Sequence, residues 1–344
     1  MAVSPTQLPL APLPLHGGDL AGAAARWGRP AEGWLDLSTG INPWPYPLPH
    51  IPAEAWHRLP GAAEEEALRR AAARCWGVAD AALVVTAAGS QPLIQAVPRL
   101  LAPGRVAIVS PTYGEHGRAW AAVGHQVSDV EDLSSVDEVG AVVVVNPNNP
   151  DGRITSPEIL SALAARLARQ GGLLVVDEAF GDLRPDLSLA GRVGPGLVVL
   201  KSFGKFHGLA GLRLGFALAE PVLVERLRAM MGPWAVSGPA LTVGTVALAD
   251  EGWAAATRPR LAQATAELRQ VLTAGGWEVL GGTDLFVLAR PNRLPHDEAA
   301  RLYDRLGRAG ILTRAFADRP DRLRFGLPSD SGGLERLRRV LAAP

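Results

Sequence analysis

Residues 201–216 read Lys201-Ser202-Phe203-Gly204-Lys205-Phe206-His207-Gly208-Leu209-Ala210-Gly211-Leu212-Arg213-Leu214-Gly215-Phe216, a polar, glycine-rich stretch wedged between the apolar runs Leu197 to Leu200 and Leu214 to Ala219. Packing a sheet does not require such a segment. A lysine placed there can act as an amine nucleophile toward an aldehyde, with Ser202 and Arg213 offering a hydroxyl and a planar guanidinium to a phosphate. Read in isolation, the stretch would serve equally as a surface loop whose cations are solvated. Lys201 and Lys205 are the only lysines in the 344 residues, which singles both out for inspection.

Working outward, apolar runs bounded by turn residues recur at Leu83 to Thr86, Val106 to Val109, Ala141 to Val145 and Leu173 to Val176. Continuous Val/Leu runs of this length fit strands buried on both faces, and helical segments such as Ser156 to Arg169 between them predict an α/β fold with a mostly parallel sheet. A helix is expected from about Ala62 to Gly77 and another through Val222 to Met230. Beyond Trp234 the texture changes: a long Ala/Leu/Arg helix (Trp253 to Ala274), short strands at Leu285 to Ala289 and Leu323 to Gly326, and a helix from Asp297 to Ala309 predict a smaller α+β domain. The expected division is an arm and the start of the small domain at 1–45, a large domain at 46–232 and a small C-terminal domain at 233–344.

Bulk properties narrow the function classes. The 34 basic and 34 acidic residues cancel, which points to neither a nucleic-acid nor a membrane partner. The Pro-rich N-terminus, Met1 to Leu15, has no basic residue before its apolar positions, so it reads as neither signal peptide nor anchor, and a cytoplasmic setting is expected. Pro12 to Pro14 and Pro43 to Pro52 read as extended arms. Cys75, the single cysteine, is expected to be a small buried hydrophobe rather than a nucleophile. No metal ion is implied.

Other polar groups sit at predicted strand ends. Asp177-Glu178-Ala179-Phe180 closes the run Leu173 to Val176, placing a carboxylate at the carboxyl end of a buried strand, where α/β proteins bind ligands. A buried carboxylate needs a partner, and a pyridinium nitrogen would be one; read alone, a helix cap or salt bridge would also serve. Asn146-Pro147-Asn148-Asn149-Pro150-Asp151-Gly152 follows the run Ala141 to Val145 and would pass as a turn on composition. Ala88-Gly89-Ser90-Gln91-Pro92 opens a helix where Ser90 can cap and backbone N–H groups can meet an anion. Near the C-terminus, Arg314 and Arg324 lie in short runs, and an arginine fork suits a carboxylate.

These segments together resemble the aspartate-aminotransferase superfamily, the fold type I pyridoxal-phosphate enzymes, in which Ser-x-x-Lys followed eight residues later by Arg marks the cofactor lysine. The resemblance implies a Schiff base of pyridoxal 5'-phosphate on Lys205 and phosphate contacts from Gly89, Ser90, Gln91, Ser202 and Arg213. It further implies a pyridinium partner in Asp177, Asn149 at the cofactor's phenolic oxygen, and Tyr113 stacked on the ring. Lys201, outside the pattern, reads as a bystander. The chain departs from the family's spelling at Phe180 and Asp151, where tyrosine and threonine are usual, and at Leu59, where a tyrosine that reaches the neighbouring subunit is common.

Leu15-His16-Gly17-Gly18-Asp19 and Asp36-Leu37-Ser38-Thr39-Gly40-Ile41-Asn42-Pro43 extend the likeness over nearly the whole chain. Here it is similar to the threonine-phosphate decarboxylases of cobalamin (vitamin B12) biosynthesis, relatives of histidinol-phosphate aminotransferase. That similarity implies substrate contacts from His16, Gly17, Gly18, Asn42, Asn149, Arg314 and Arg324, a small phosphorylated amino acid as substrate, and a homodimer. Asp19 stands where the family commonly has asparagine. The expected reaction is decarboxylation of L-threonine O-3-phosphate to (R)-1-amino-2-propanol O-2-phosphate. A histidinol-phosphate-type aminotransferase is the alternative, and a non-catalytic binding module on the same fold is the second.

Overall fold

Runs of Val, Leu and Ile build the sheet, as the apolar pattern predicts. The protein is described from a computed structural model covering residues 16–136, 138–292 and 298–342. The Pro12 to Pro14 run and Asp297, the expected start of a helix, lie outside the described residues. The strands are β1 (Leu35–Asp36), β2 (Val84–Ala87), β3 (Arg105–Val109), β4 (Gln126–Val130), β5 (Ala141–Val145), β6 (Leu173–Asp177), β7 (Leu197–Ser202), β8 (Gly215–Leu218), β9 (Trp277–Thr283), β10 (Phe286–Pro291), β11 (Ile311–Leu312), β12 (Arg314–Ala315) and β13 (Leu323–Gly326).

Seven strands form one sheet in the order β2-β8-β7-β6-β5-β3-β4, parallel throughout except for β8, which runs against both neighbours. In β6, Leu174 and Val176 enter the apolar core on one face while Leu173 and Val175 enter the core on the other. This alternation explains why the run is apolar at every position, and each such side chain removed from water contributes about 1.5–3 kcal/mol. Helices Ala62–Trp76, Pro157–Ala168 and Gly238–Ala249 supply Leu68, Leu160 and Leu241 to the first core. Helices Ser90–Ala96, Glu115–Ala122 and Pro221–Met231 supply Leu93, Trp120 and Val224 to the second.

β4 escaped the sequence reading for a physical reason: it is the sheet edge, and Gln126, Ser128 and Asp129 are exposed along it, so no apolar run marks it. The chain divides into two compact units. One holds Ile41–Glu267 and Gly281–Val287; the other holds the chain up to Gly40, Leu268–Leu280 and the chain from Leu288. Sequence texture drew boundaries after residues 45 and 232; contacts carry the large unit on to Glu267, because Leu241, Ala247 and Leu248 pack into the sheet's core. In the smaller unit β1 pairs in parallel with β11, and β12 is antiparallel to β13 with Arg314 opposite Arg324. Among the described residues no helix is long and apolar enough to cross a membrane.

Candidate active site

In a parallel sheet the carboxyl ends of the strands share one edge, and the polar segments that follow β2, β5, β6 and β7 leave from that edge. Asp177 ends β6 and is 3% exposed. Its Oδ1 accepts from the Ala179 N–H at 2.9 Å, and Oδ2 lies 2.9 Å from Nε2 of the buried His116. Opposite a carboxylate, which only accepts, Nε2 is the donor. His116 was not read from the sequence as a site residue. Its one signal is its position three residues after Tyr113, at the start of the helix Glu115–Ala122.

Lys205 lies half-buried in the short helix Phe203–Phe206 after β7. Gly204 lets this turn fold back: a Cβ there would lie 2.7 Å from Ala210 Cα. The Lys205 carbonyl accepts from the Asn42 N–H at 3.0 Å, Asn42 Nδ2 donates to the Phe206 carbonyl at 2.9 Å, and Asn42 Oδ1 accepts from the Trp44 N–H at 2.9 Å. The Asn42 amide thus already has a donor and an acceptor partner within the chain, and it clamps the lysine turn. His207 completes the turn, stacked between Phe203 and Trp253 at centroid distances of 4.2 and 5.4 Å; burial pushes its pKa down to about 4.

The segments expected to hold a phosphate converge. Gly89 sits at φ 91, and a Cβ there would lie 2.5 Å from Arg213 Nη2, so only glycine lets the guanidinium close over this backbone. Gly215 likewise brings β8 against the Ser90 N–H, 2.4 Å from where its Cβ would stand. No side chain caps the helix that opens at Ser90. Gln91 Nε2 donates to Glu115 at 2.9 Å, and Tyr113, half-buried, has its phenol pKa raised by burial first and by the charges of Glu115 and Asp177 after it. Ser202, half-buried, ends β7.

Asn149 is presented by a loop tied from within. Asn148 receives the Thr112 hydroxyl at 2.6 Å and donates to the Pro111 carbonyl and to Asp151 Oδ1 at 2.9 and 2.8 Å. Asp151 also accepts from the Arg153 N–H, so the residue that replaces threonine has a local structural use. Phe180 is buried edge-on against Phe286 at 5.0 Å.

Two expectations are corrected. Lys201 is no bystander: it is 1% exposed, 2.9 Å from Glu178 Oε2 and 3.4 Å from Asp182 Oδ1, and its ammonium stands 5.3 Å over the Trp76 ring. Burial opposes its charge, but the two carboxylates outweigh that and raise its pKa. Cys75 is exposed rather than in the core. Desolvation by the neighbouring protein, then the charge of Asp182, raises its thiol pKa.

The smaller unit holds the remaining residues. His16 and Gly18 are exposed, and the Gly18 N–H donates to Ser38 Oγ at 2.7 Å. Asp19 caps the helix Leu20–Trp27 through the Gly22 N–H at 2.8 Å, which occupies the acidic side chain locally. Arg324 is 7% exposed, and its Nη2 donates to the Ser38 carbonyl at 2.9 Å. Burial first, then the charge of Arg314 across the strand pair, lowers its pKa to about 10. The Arg314 guanidinium stands 5.3 Å over the Phe316 ring.

The family profile described as "Aminotransferase class I and II" matches residues 52–341. The chain belongs to the class I and II aminotransferase family. Within it, the chain is 47% identical over 326 residues to the threonine-phosphate decarboxylase of Pseudomonas aeruginosa, covering 94% of this chain and 95% of that one. It is 48% identical over 333 residues to the threonine-phosphate decarboxylase of a Sinorhizobium species, covering 95% and 97%. The fold is shared with the histidinol-phosphate aminotransferase of Sinorhizobium meliloti, solved with pyridoxal-5'-phosphate, at a TM-score of 0.78 and 21% identity over 98% and 95% of the two chains. The donor set fits the family's cofactor: a glycine cradle beside Arg213, a buried carboxylate, and an amine at Lys205.

Proposed function

We infer that this chain is a pyridoxal 5'-phosphate-dependent carboxy-lyase acting on L-threonine O-3-phosphate, releasing carbon dioxide and (R)-1-amino-2-propanol O-2-phosphate. The observation that carries the reading is near-half identity, along almost the full length, to two threonine-phosphate decarboxylases. It is supported by Asp177, Lys205 and the Gly89–Arg213 cradle lying within one compact unit.

When bound, the cofactor supplies an electron sink for the pair left behind as a bond at Cα breaks. The chain's own residues do the rest. Lys205 would provide the amine that holds the cofactor and, as a free amine, would carry the proton that replaces the carboxylate at Cα. Asp177, steadied by His116, holds a proton on the ring nitrogen. Gly89, Ser90, Gln91, Ser202 and Arg213 bind the cofactor's phosphate, Asn149 its phenolic oxygen, and Tyr113 covers the ring face. Arg324, with Arg314, binds the substrate carboxylate, while His16 and Gly17 bind its phosphate, Gly18 shapes the arm with its N–H on Ser38, and Asn42 braces the lysine turn. Two anchored ends fix how the substrate lies, and that orientation would select the bond that breaks.

In this reading the enzyme works as a homodimer in the cytoplasm on a small phosphorylated substrate. Exposed Leu48, Trp56, Leu59 and Trp234 supply apolar surface for a second copy. The test is to incubate the purified protein with threonine phosphate and follow carbon dioxide, beside glutamate-dependent amino transfer to imidazole-acetol phosphate. Carbon dioxide release without amino transfer is expected; the reverse would overturn the reading.

A further inference from the structure

Ser38 is 1% exposed and has no apolar side chain to bury, yet three segments of the smaller unit meet on it. Its hydroxyl accepts from the Gly18 N–H at 2.7 Å and donates to Asp36 Oδ1 at 2.5 Å. Its own N–H donates to the same carboxylate oxygen at 2.8 Å, and its carbonyl accepts from Arg324 Nη2 at 2.9 Å. The approach is close enough to dictate residue type: a Cβ on Gly17 would lie 2.3 Å from the Ser38 carbonyl oxygen.

The backbone on either side is pinned as well. Leu37 donates to Leu312 at 2.7 Å and accepts from the Gly326 N–H at 2.6 Å, so the segment runs between β11 and β13. A Cβ on Gly326 would lie 2.2 Å from the Thr39 carbonyl oxygen, which leaves the segment no room to shift on that side. Asp36 orients the serine hydroxyl, because a carboxylate can only accept and so commits the hydroxyl proton. The oxygen lone pairs are thereby left for Gly18.

We propose that Ser38 is the positioning residue for substrate selection: its hydroxyl and carbonyl hold the Gly17-Gly18 arm and the Arg324 guanidinium at a set separation, which makes one recognition site for a doubly anionic amino acid. The phosphate end falls to the arm and the carboxylate end to Arg324. The inference rests on the reading in which those two groups bind substrate. It adds a residue outside the binding set whose hydroxyl touches neither anion.

Ser38→Ala removes the acceptor of Gly18 and the donor to Asp36 but keeps the carbonyl that holds Arg324. In the holoenzyme the expected outcome is a KM for threonine phosphate raised about tenfold, the loss of one buried hydrogen bond, with kcat unchanged. The cofactor's visible absorbance and its pH midpoint stay where they are. Asp36→Asn, which removes the carboxylate that commits the serine hydroxyl proton, gives the same split and serves if the first variant does not fold. A lower kcat or a lower melting temperature with KM unchanged in a folded variant would mean a merely structural role and overturns the proposal. Failure of the functional reading is seen separately, in wild type: if that protein transfers the amino group of histidinol phosphate and releases no carbon dioxide, the substrate assignment falls. Histidinol phosphate carries no carboxylate, so in that case the site for a doubly anionic amino acid falls with the assignment, whereas an unchanged KM of Ser38→Ala beside a wild type that does release carbon dioxide overturns the positioning role alone.

Discussion

The strand-end floor of the large unit and the arm segment of the small unit are held by different means. On the floor, Asp177 has two partners, Lys205 is clamped by Asn42, the Asn149 loop is laced through Asn148, and behind them Glu178 and Lys201 form a buried pair. In the smaller unit, His16 and Gly18 are exposed, and Ser38 bonds both the Gly18 N–H and Arg324. A wide parallel sheet can hold polar groups still; the arm segment is tied through a few hydrogen bonds at Ser38. Substitutions on the floor are therefore expected to abolish chemistry or folding, and those around Ser38 to change selection.

The two lysines separate chemistry from stability with the largest effects. Lys205→Ala should fall below detectable activity and purify without the cofactor's visible band, while keeping its melting temperature in the absence of added cofactor. Full activity in that variant would remove Lys205 from the mechanism. Lys201→Met does the opposite: it strands Glu178 and Asp182 without their cation and should cost about 3–5 kcal/mol of stability by denaturant unfolding, with the visible band retained in the folded fraction. His116→Phe removes the side-chain partner of Asp177 Oδ2, and kcat should drop about tenfold to a hundredfold with KM for threonine phosphate little changed.

The smallest effect concerns His207. Its folded pKa of about 4 lies below the ordinary value of 6.5, so between those pH values the unfolded chain binds a proton that the native protein refuses. Stability should therefore fall on acidification from pH 6.5 toward 4, by at most about 3 kcal/mol from this group. His207→Phe, which keeps a ring between Phe203 and Trp253, should flatten that part of a plot of melting temperature against pH. An unchanged slope would exclude His207 as its source.

Much of the floor was legible in the sequence because scarcity and position coincide there. Lys205 is one of two lysines, and Asp177 closes an apolar run. The parts that were not legible depend on pairing. Lys201 looked dispensable because Glu178 and Asp182 are distant in sequence and come alongside only when β6 and β7 pair. His116 carries no pattern of its own, since a lone histidine in a helix is the same letter whether it meets solvent or a carboxylate. Ser38 reads as one polar residue in a turn-like run, and its importance lies in a backbone approach that only the absence of a Cβ at Gly17 allows. β4 was hidden by the polarity that an edge strand needs.

The claim that the two anchored ends direct the break to the carboxylate is tested most directly with threonine phosphate labelled with carbon-13 at the carboxylate. The label is expected to leave as carbon dioxide, with the product keeping its nitrogen as 1-amino-2-propanol phosphate. Label retained in a keto acid, with the nitrogen passed to an acceptor, would contradict it.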